Sequence, residues 1–204
     1  MKFNEAIFEK MASRYRANFF NNLNGCKSAN LIGTENSEGL QNLAIFNSVI
    51  HLGANPPLMG FILRPTTVDR HTYTNIITNK YYTINHVNEQ IIEAAHHTAA
   101  NYPADESEFL ASGLSPEYLG SIKAPFVKES FIKIGLEYRN EYLIEENGTR
   151  LIIGQVKHVE LQEDFIKEDG SIDLVKAKTV SIAGLDTYLA ISELQKLPYA
   201  KPKN

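Results

Sequence analysis

Short stretches rich in β-branched and aromatic residues recur along the chain, at residues 28–34, 43–52, 58–63, 81–86, 131–144 and 151–161. Side chains of that kind pack well on a pleated, half-buried surface, so each stretch predicts a strand. The connections between them are turn-like. Asn36-Ser37-Glu38-Gly39 suits a hairpin, Asn55-Pro56-Pro57 cannot continue a ladder, and Glu146-Asn147-Gly148 carries the Asn-Gly pair favoured in tight hairpins. Sequential antiparallel strands follow from that spacing.

Helical periodicity is confined to insertions in the β pattern. Residues 4–11 form a short amphipathic start, residues 68–79 have Asp69 near their beginning, and residues 89–101 place Ile91, Ile92, Ala95 and Ala99 at helical spacing. Residues 102–125 are rich in Pro, Gly, Ser and acidic side chains and contain a short helical SEFLASGL. Phe109, Leu110, Tyr118, Leu119 and Phe126 give this excursion apolar surface to bury, so it is expected to be ordered. Pro198 and Pro202 end the last pattern and leave an exposed basic tail, and no internal repeat or low-complexity tract is found.

Composition narrows the class without naming a function. At 204 residues the chain is expected to form one domain over residues 1–204, a size that all-β barrels commonly reach as one unit. With 43% hydrophobic and 22% charged residues and a net charge of -4, it reads as an ordinary globular protein with no electrostatic case for nucleic acid. The N-terminal MKFNEAIFEKMASRY interrupts its apolar residues with charge, unlike a signal peptide, and no apolar run is long enough to span a bilayer. A cytoplasmic protein with no membrane partner is the expectation. Cys26 is the only cysteine, which excludes an intrachain disulfide, and it is read as a small buried packing residue.

Several catalytic readings lack their geometry. The chain has six histidines, but His96 and His97 on a helix point about 100° apart and cannot form the i, i+4 pair of a helical metal site. One of the pair is expected to be exposed and the other packed. His51, His71, His86 and His158 are scattered, with no carboxylate spacing that recruits them as ligands. Ser48 lies in FNSVI without the flanking glycines of a nucleophile elbow, so it reads as a hydrogen-bonding strand residue. No glycine-rich phosphate loop of the dinucleotide or Walker type is present.

One cluster does carry chemistry. Arg64, Thr66, Thr67, Arg70 and His71 lie where a strand runs out into a loop and a helix begins. Arginine presents a planar fork that matches phosphate oxygens, threonine adds neutral donors, and a helix N-terminus offers unpaired N–H groups and a favourable dipole. Pro65 stiffens the loop and both arginines fall within seven residues, which favours an anion site over a merely solvated turn.

At these residues the chain resembles the flavin reductase-like family, whose members are FMN-binding split β-barrels and usually homodimers. The resemblance covers most of the chain: NLAIFNSVIHLGANPPLMGFI, RPTTVDRHTYTNI and YYTINHV, then SEFLASGLSPEYLG, APFVKES, LIIGQVKHVEL and GLDTYLA, in the family's order. It implies a mainly β fold, an antiparallel FMN-binding split β-barrel with peripheral helices. It implies that Ala44, Phe46, Asn47, Ser48 and Val49, within the segment from Ala44 to Val49, run along the isoalloxazine ring, with Asn47 and Ser48 at its edge. Arg64, Thr66, Thr67, Arg70 and His71 would hold the phosphate or ribityl chain, with Asn75 and Asn85 as weaker contacts. No catalytic side chain is assigned, because hydride transfer to a flavin needs no dedicated acid or base and the cofactor supplies the accepting ring.

The activity so implied is that of an NAD(P)H-dependent flavin reductase working through non-covalent FMN, with NADH or NADPH as reductant and a homodimer whose partner completes the flavin pocket. An alternative is a flavoredoxin-like electron carrier reduced by a protein, and a third is the same architecture around another phosphorylated ligand such as pyridoxal phosphate.

Overall fold

The computed structural model describes residues 1–202. Two helices, α1 (Glu5–Lys10) and α2 (Ser13–Leu23), open the chain, followed by strands β1 (Lys27–Ser28), β2 (Asn30–Glu35), β3 (Gln41–Phe46), β4 (Val49–Ala54) and β5 (Pro57–Leu63). Helix α3 (His71–Asn79), β6 (Tyr81–His86), α4 (Ile92–His97), α5 (Glu108–Ser112), β7 (Pro116–Glu117) and β8 (Phe126–Val127) come next. The long strands β9 (Ile132–Ile144) and β10 (Thr149–Leu161), then β11 (Val180–Ala183) and β12 (Thr187–Ala190), complete it. No helix among the described residues is long and apolar enough to cross a membrane.

The main sheet has seven strands in the order β3-β2-β6-β9-β10-β5-β4, and every pairing in it is antiparallel. The predicted turns hold it in register. Asn36 Oδ1 accepts from the N–H groups of Glu38 and Leu40, both at 2.9 Å, and Gly39 takes φ +84° in the β2–β3 turn. Gly148, at φ +71°, closes the β9–β10 hairpin with a 2.8 Å bond to the Ile144 carbonyl. Pro57 starts β5 opposite Ala54, where a missing N–H costs the ladder little.

The expected barrel is not closed. β3 and β4 form the two unpaired edges of the sheet, although they are consecutive in the chain. The single strand expected over residues 43–52 is therefore two, broken at Asn47-Ser48. At that break the Ser48 hydroxyl donates to the Ile62 carbonyl at 2.9 Å and accepts from the Ile62 N–H at 3.2 Å. One side chain thus hands the chain from β2's flank to β5's, and covalent continuity joins two edges that hydrogen bonds leave apart.

Alternation along the strands builds a core on each face of the sheet. Ile32, Phe61, Tyr82, Ile84, Leu136 and Ile152 face one way with Ile76 of α3. Leu31, Leu43, Val87, Phe109, Val127 and Val180 face the other, beneath α4, α5 and the β1-β11-β12 sheet. Gly154 is required on the first face, because a Cβ there would stand 2.3 Å from the Tyr82 hydroxyl.

Some expectations need correction. Cys26 is exposed, not buried, since it precedes the two-residue β1 at the rim. His96 and His97 are both exposed, because α4 is only six residues long and buries Ala95 alone. Ala99 lies beyond its end and is exposed. In the excursion over residues 102–125, Phe109 is buried, as is Phe126 just after it, but Leu110 and Tyr118 are exposed at 84% and 49%. Helix α2 and the β11–β12 hairpin have no counterpart among the predicted elements. Residues 191–202 carry no helix or strand and are almost wholly exposed, in keeping with the expected tail, whose last two residues lie outside the described ones.

Candidate functional site

The segment expected to carry a flat ring crosses from β3 to β4. Ala44 sits opposite Ile32, Phe46 opposite Asn30 and Val49 opposite Phe61. The Phe46 ring meets Phe61 edge to face with centroids 5.0 Å apart, so the aromatic core backs this segment. Asn47 donates its amide nitrogen to the Gly184 carbonyl at 2.8 Å, tying the segment to the β11–β12 turn. Its carbonyl oxygen remains able to accept a bond, whereas the Ser48 hydroxyl proton is spent on Ile62.

The donor-rich loop follows directly. Ile62, held by Ser48, is two residues before Arg64, so the two parts of the expected site lie about 7 Å apart along β5 at roughly 3.3 Å per residue. Arg64 is exposed and makes no hydrogen bond or ion pair among the described residues. Arg70 Nε donates to the Pro65 carbonyl at 3.3 Å and closes the loop on itself. Thr67 is exposed and Thr66 half-buried. The loop ends at α3, whose N-terminus has no side-chain cap, leaving its first N–H groups open to an anion.

Three neighbours of this loop were not singled out from the sequence. Arg150, near the start of β10, donates from Nε to the Thr66 hydroxyl at 3.4 Å and from Nη1 to Glu141 Oε1 at 2.6 Å. Tyr73 of α3 donates to the same Glu141 oxygen at 3.0 Å, and the Arg150 guanidinium lies 5.4 Å from the centre of the Tyr73 ring. Burial, followed by the bond to Glu141, raises the Tyr73 phenol above its ordinary value, so it stays protonated and donates. The signal that could have found Arg150 is hairpin register: the Asn147-Gly148 turn sets Arg150 against Leu143 on one side, and β5 sets it against Leu63 on the other.

The two weaker candidates fall elsewhere. Asn85 is fully buried, with its amide donating to the Leu31 carbonyl at 3.2 Å and to Thr83 Oγ1 at 2.9 Å while it accepts from the Val127 N–H at 3.0 Å. Asn75 donates to Thr34 Oγ1 at 3.1 Å and is likewise buried. His71 lines a polar cleft of about 310 Å³ with Asn42, Asp69, Thr74, Asn75 and Glu106. Among the described residues, no group of three or more His, Cys, Asp or Glu could hold a metal ion.

A family profile and several solved structures match the chain. The profile of the flavin reductase like domain matches residues 26–175. A solved structure from Shewanella frigidimarina, described as a candidate flavin reductase with a split barrel domain, superposes with a TM-score of 0.94 at 50% identity, covering 98% of this chain and 100% of that one. Nitrilotriacetate monooxygenase component B from Bacillus cereus superposes with a TM-score of 0.83 at 22% identity, over 97% of this chain and 98% of its own. Flavoredoxin of Desulfovibrio vulgaris gives a TM-score of 0.77 at 21% identity, over 98% of both chains. The last two likenesses speak for the fold alone.

Proposed function

The chain belongs to the flavin reductase like domain family, and from that premise we propose that it binds FMN non-covalently and acts as an NAD(P)H-dependent flavin oxidoreductase. The observation that carries this reading is the unspent donor set at the uncapped start of α3. Arg64 has no partner among the described residues, Thr66 and Thr67 offer hydroxyls, and the helix N–H groups are open. A phosphate fits donors of this chemistry.

When bound, FMN supplies a ring that accepts hydride or electrons. The chain's own residues then have binding and orienting roles. Arg64, Thr66, Thr67 and the start of α3 would hold the phosphate, and Arg70 keeps the loop closed through Pro65. Phe46 and Val49 would present an apolar backing for the ring, and the Asn47 carbonyl oxygen, with the amide nitrogen anchored on Gly184, would be available to accept a bond from the ring's edge. Ser48 sets the position of the segment through Ile62.

The same reading makes the protein a homodimer. β4 is an unpaired edge exposing Ile50 and Leu52 at 43% and 39%, and β9 exposes Tyr142 and Leu143 at 57% and 50%. Apolar edges of this kind need a cover in water, and a second subunit beside β4 would also flank the ring segment. A reductant of that kind accords with the cytoplasmic location expected from the sequence.

Anaerobic titration of the purified yellow protein with NADH and with NADPH, followed by absorbance, is the test. Bleaching by either nucleotide is expected. A stoichiometric flavin that neither nucleotide reduces, but a ferredoxin-like donor does, would replace this reading with that of an electron carrier. A colourless protein that takes up no FMN would end both. Sizing in solution checks the dimer, and a monomeric holoprotein contradicts it.

A further inference from the structure

We infer that Arg150 is a positioning residue for the phosphate loop, gripping Thr66 from the β9–β10 hairpin while Glu141 and Tyr73 hold its guanidinium in place. This rests on the reading of residues 64–70 as the phosphate site. The hairpin is built against that loop: Arg150 sits beside Leu63 at the end of β5, and a Cβ on Gly148 at the hairpin turn would stand 3.7 Å from the Pro65 ring.

The bond to Thr66 has a directional consequence. A threonine hydroxyl has one proton to give and two lone pairs. With Arg150 Nε donating to the oxygen at 3.4 Å, the Thr66 proton is left to donate to something else, and the open side of the loop is where an anion would sit. Arg150 thereby fixes which way Thr66 points its donor. Its charge is balanced by Glu141, so what it offers the loop is donors rather than net charge, and the bonds to Thr66 and Glu141 use only two of its five N–H groups.

Stability alone is a poor explanation of this cluster. The Arg150 and Glu141 side chains are only 23% and 20% exposed, and removing both charges from water cancels much of what their attraction returns. Glu141 Oε2 is buried with no hydrogen-bond partner, an arrangement that a purely structural pair would not favour. What the pair does provide is a rigid, planar hold. Glu141 pins the guanidinium from β9, Tyr73 of α3 donates to Glu141 and sets its ring against the guanidinium, and the guanidinium in turn holds the loop.

FMN and riboflavin differ by the phosphate, so their dissociation constants, measured by fluorescence quenching on the full chain, isolate the effect. Arg150→Ala is expected to weaken FMN by about tenfold to a hundredfold and to leave riboflavin within about twofold. Arg150→Lys keeps the charge without the fork that spans Glu141 and Thr66, and should recover only part of the loss. Should Arg150→Ala fail to fold, Arg150→Met keeps most of the side-chain volume without the guanidinium and is expected to act in the same direction. Equal losses for the two flavins would show a merely structural role and overturn the inference, as would unchanged FMN binding. Arg64→Ala separates this failure from failure of the premise. If it abolishes the wild type's preference for FMN while Arg150→Ala does not, the inference alone falls; if wild type shows no such preference, the phosphate reading falls with it.

Discussion

Two polar regions meet at α3, and they use their donors in opposite ways. On one side Asn42 donates to Thr34 Oγ1 and Thr72 Oγ1, both at 3.1 Å, and Asn75 donates to Thr34 Oγ1 at 3.1 Å. All four residues are at most 7% exposed. On the other side, residues 64–70 are largely exposed, and Arg64 is unpartnered among the described residues. The first region is a closed network that locks α3 onto the β2–β3 hairpin. The second has a rigid frame with donors to spare, and it is this surplus, not the number of polar residues, on which the proposed phosphate site rests.

The sharpest challenge to that division is His86, a ring whose buried Nδ1 finds no partner although it lies in the scaffold. Burial lowers its pKa from 6.5 to about 4. The unfolded chain therefore binds a proton below pH 6.5 that the folded chain refuses until about pH 4. Its contribution is intact above pH 6.5 and is lost as the pH falls towards 4, by at most about 3 kcal/mol, since the residue is not wholly buried. Urea midpoints of wild type and His86→Asn across that window measure it. The difference between them should shrink as the pH falls, and a constant difference would mean that the ring takes up its proton as readily in the fold as in the unfolded chain.

Asn42 and Arg64 test the division directly, because each should move only one observable. Asn42→Ala removes two buried bonds and leaves Thr34 and Thr72 short of a partner, at a cost of about 2 to 3 kcal/mol in unfolding free energy. It should leave the ratio of FMN to riboflavin affinity unchanged. Arg64→Ala should do the reverse: FMN binding weakens by about 1.5 to 3 kcal/mol if the charge-assisted bond is made, while stability stays within about 0.5 kcal/mol. A destabilised Arg64→Ala with normal FMN affinity would turn the loop into scaffold.

The two regions were not equally legible in the sequence. The loop was, because Arg64, Thr66, Thr67 and Arg70 are contiguous and a strand-to-helix junction gives their types a joint meaning. The closed network was not: Thr34, Asn42, Thr72 and Asn75 come from three elements and only pairing register brings them together. The same distance hid Arg150 and made Asn85 resemble a ligand contact, when its amide is committed to Leu31, Thr83 and Val127. Strand content was readable from β-branched and aromatic runs, but a run cannot show that residues 43–52 change partner midway. α2 escaped notice because it buries no residue, and its contacts are aromatic pairs such as Phe3 with Phe19, 4.9 Å apart.

Ser48 lies in neither region but tests the rule that separates them, and its substitution has the smallest and most instructive expected effect. Its hydroxyl lies in the ring segment yet exchanges both its bonds with the backbone of Ile62, so by the rule of spent donors it is scaffold. Ser48→Ala should then cost about 1 to 2 kcal/mol of stability, because the Ile62 groups lose a partner at the break between the sheet's two edges. FMN and riboflavin should weaken together and only slightly, since what loosens is the strand behind the ring and not the phosphate loop. Chemical denaturation and the two flavin affinities give the answer. A fully stable Ser48→Ala whose bound flavin shifts in redox potential would show that the hydroxyl turns to the ring in the holoprotein. In that case spent donors would no longer identify scaffold at this site.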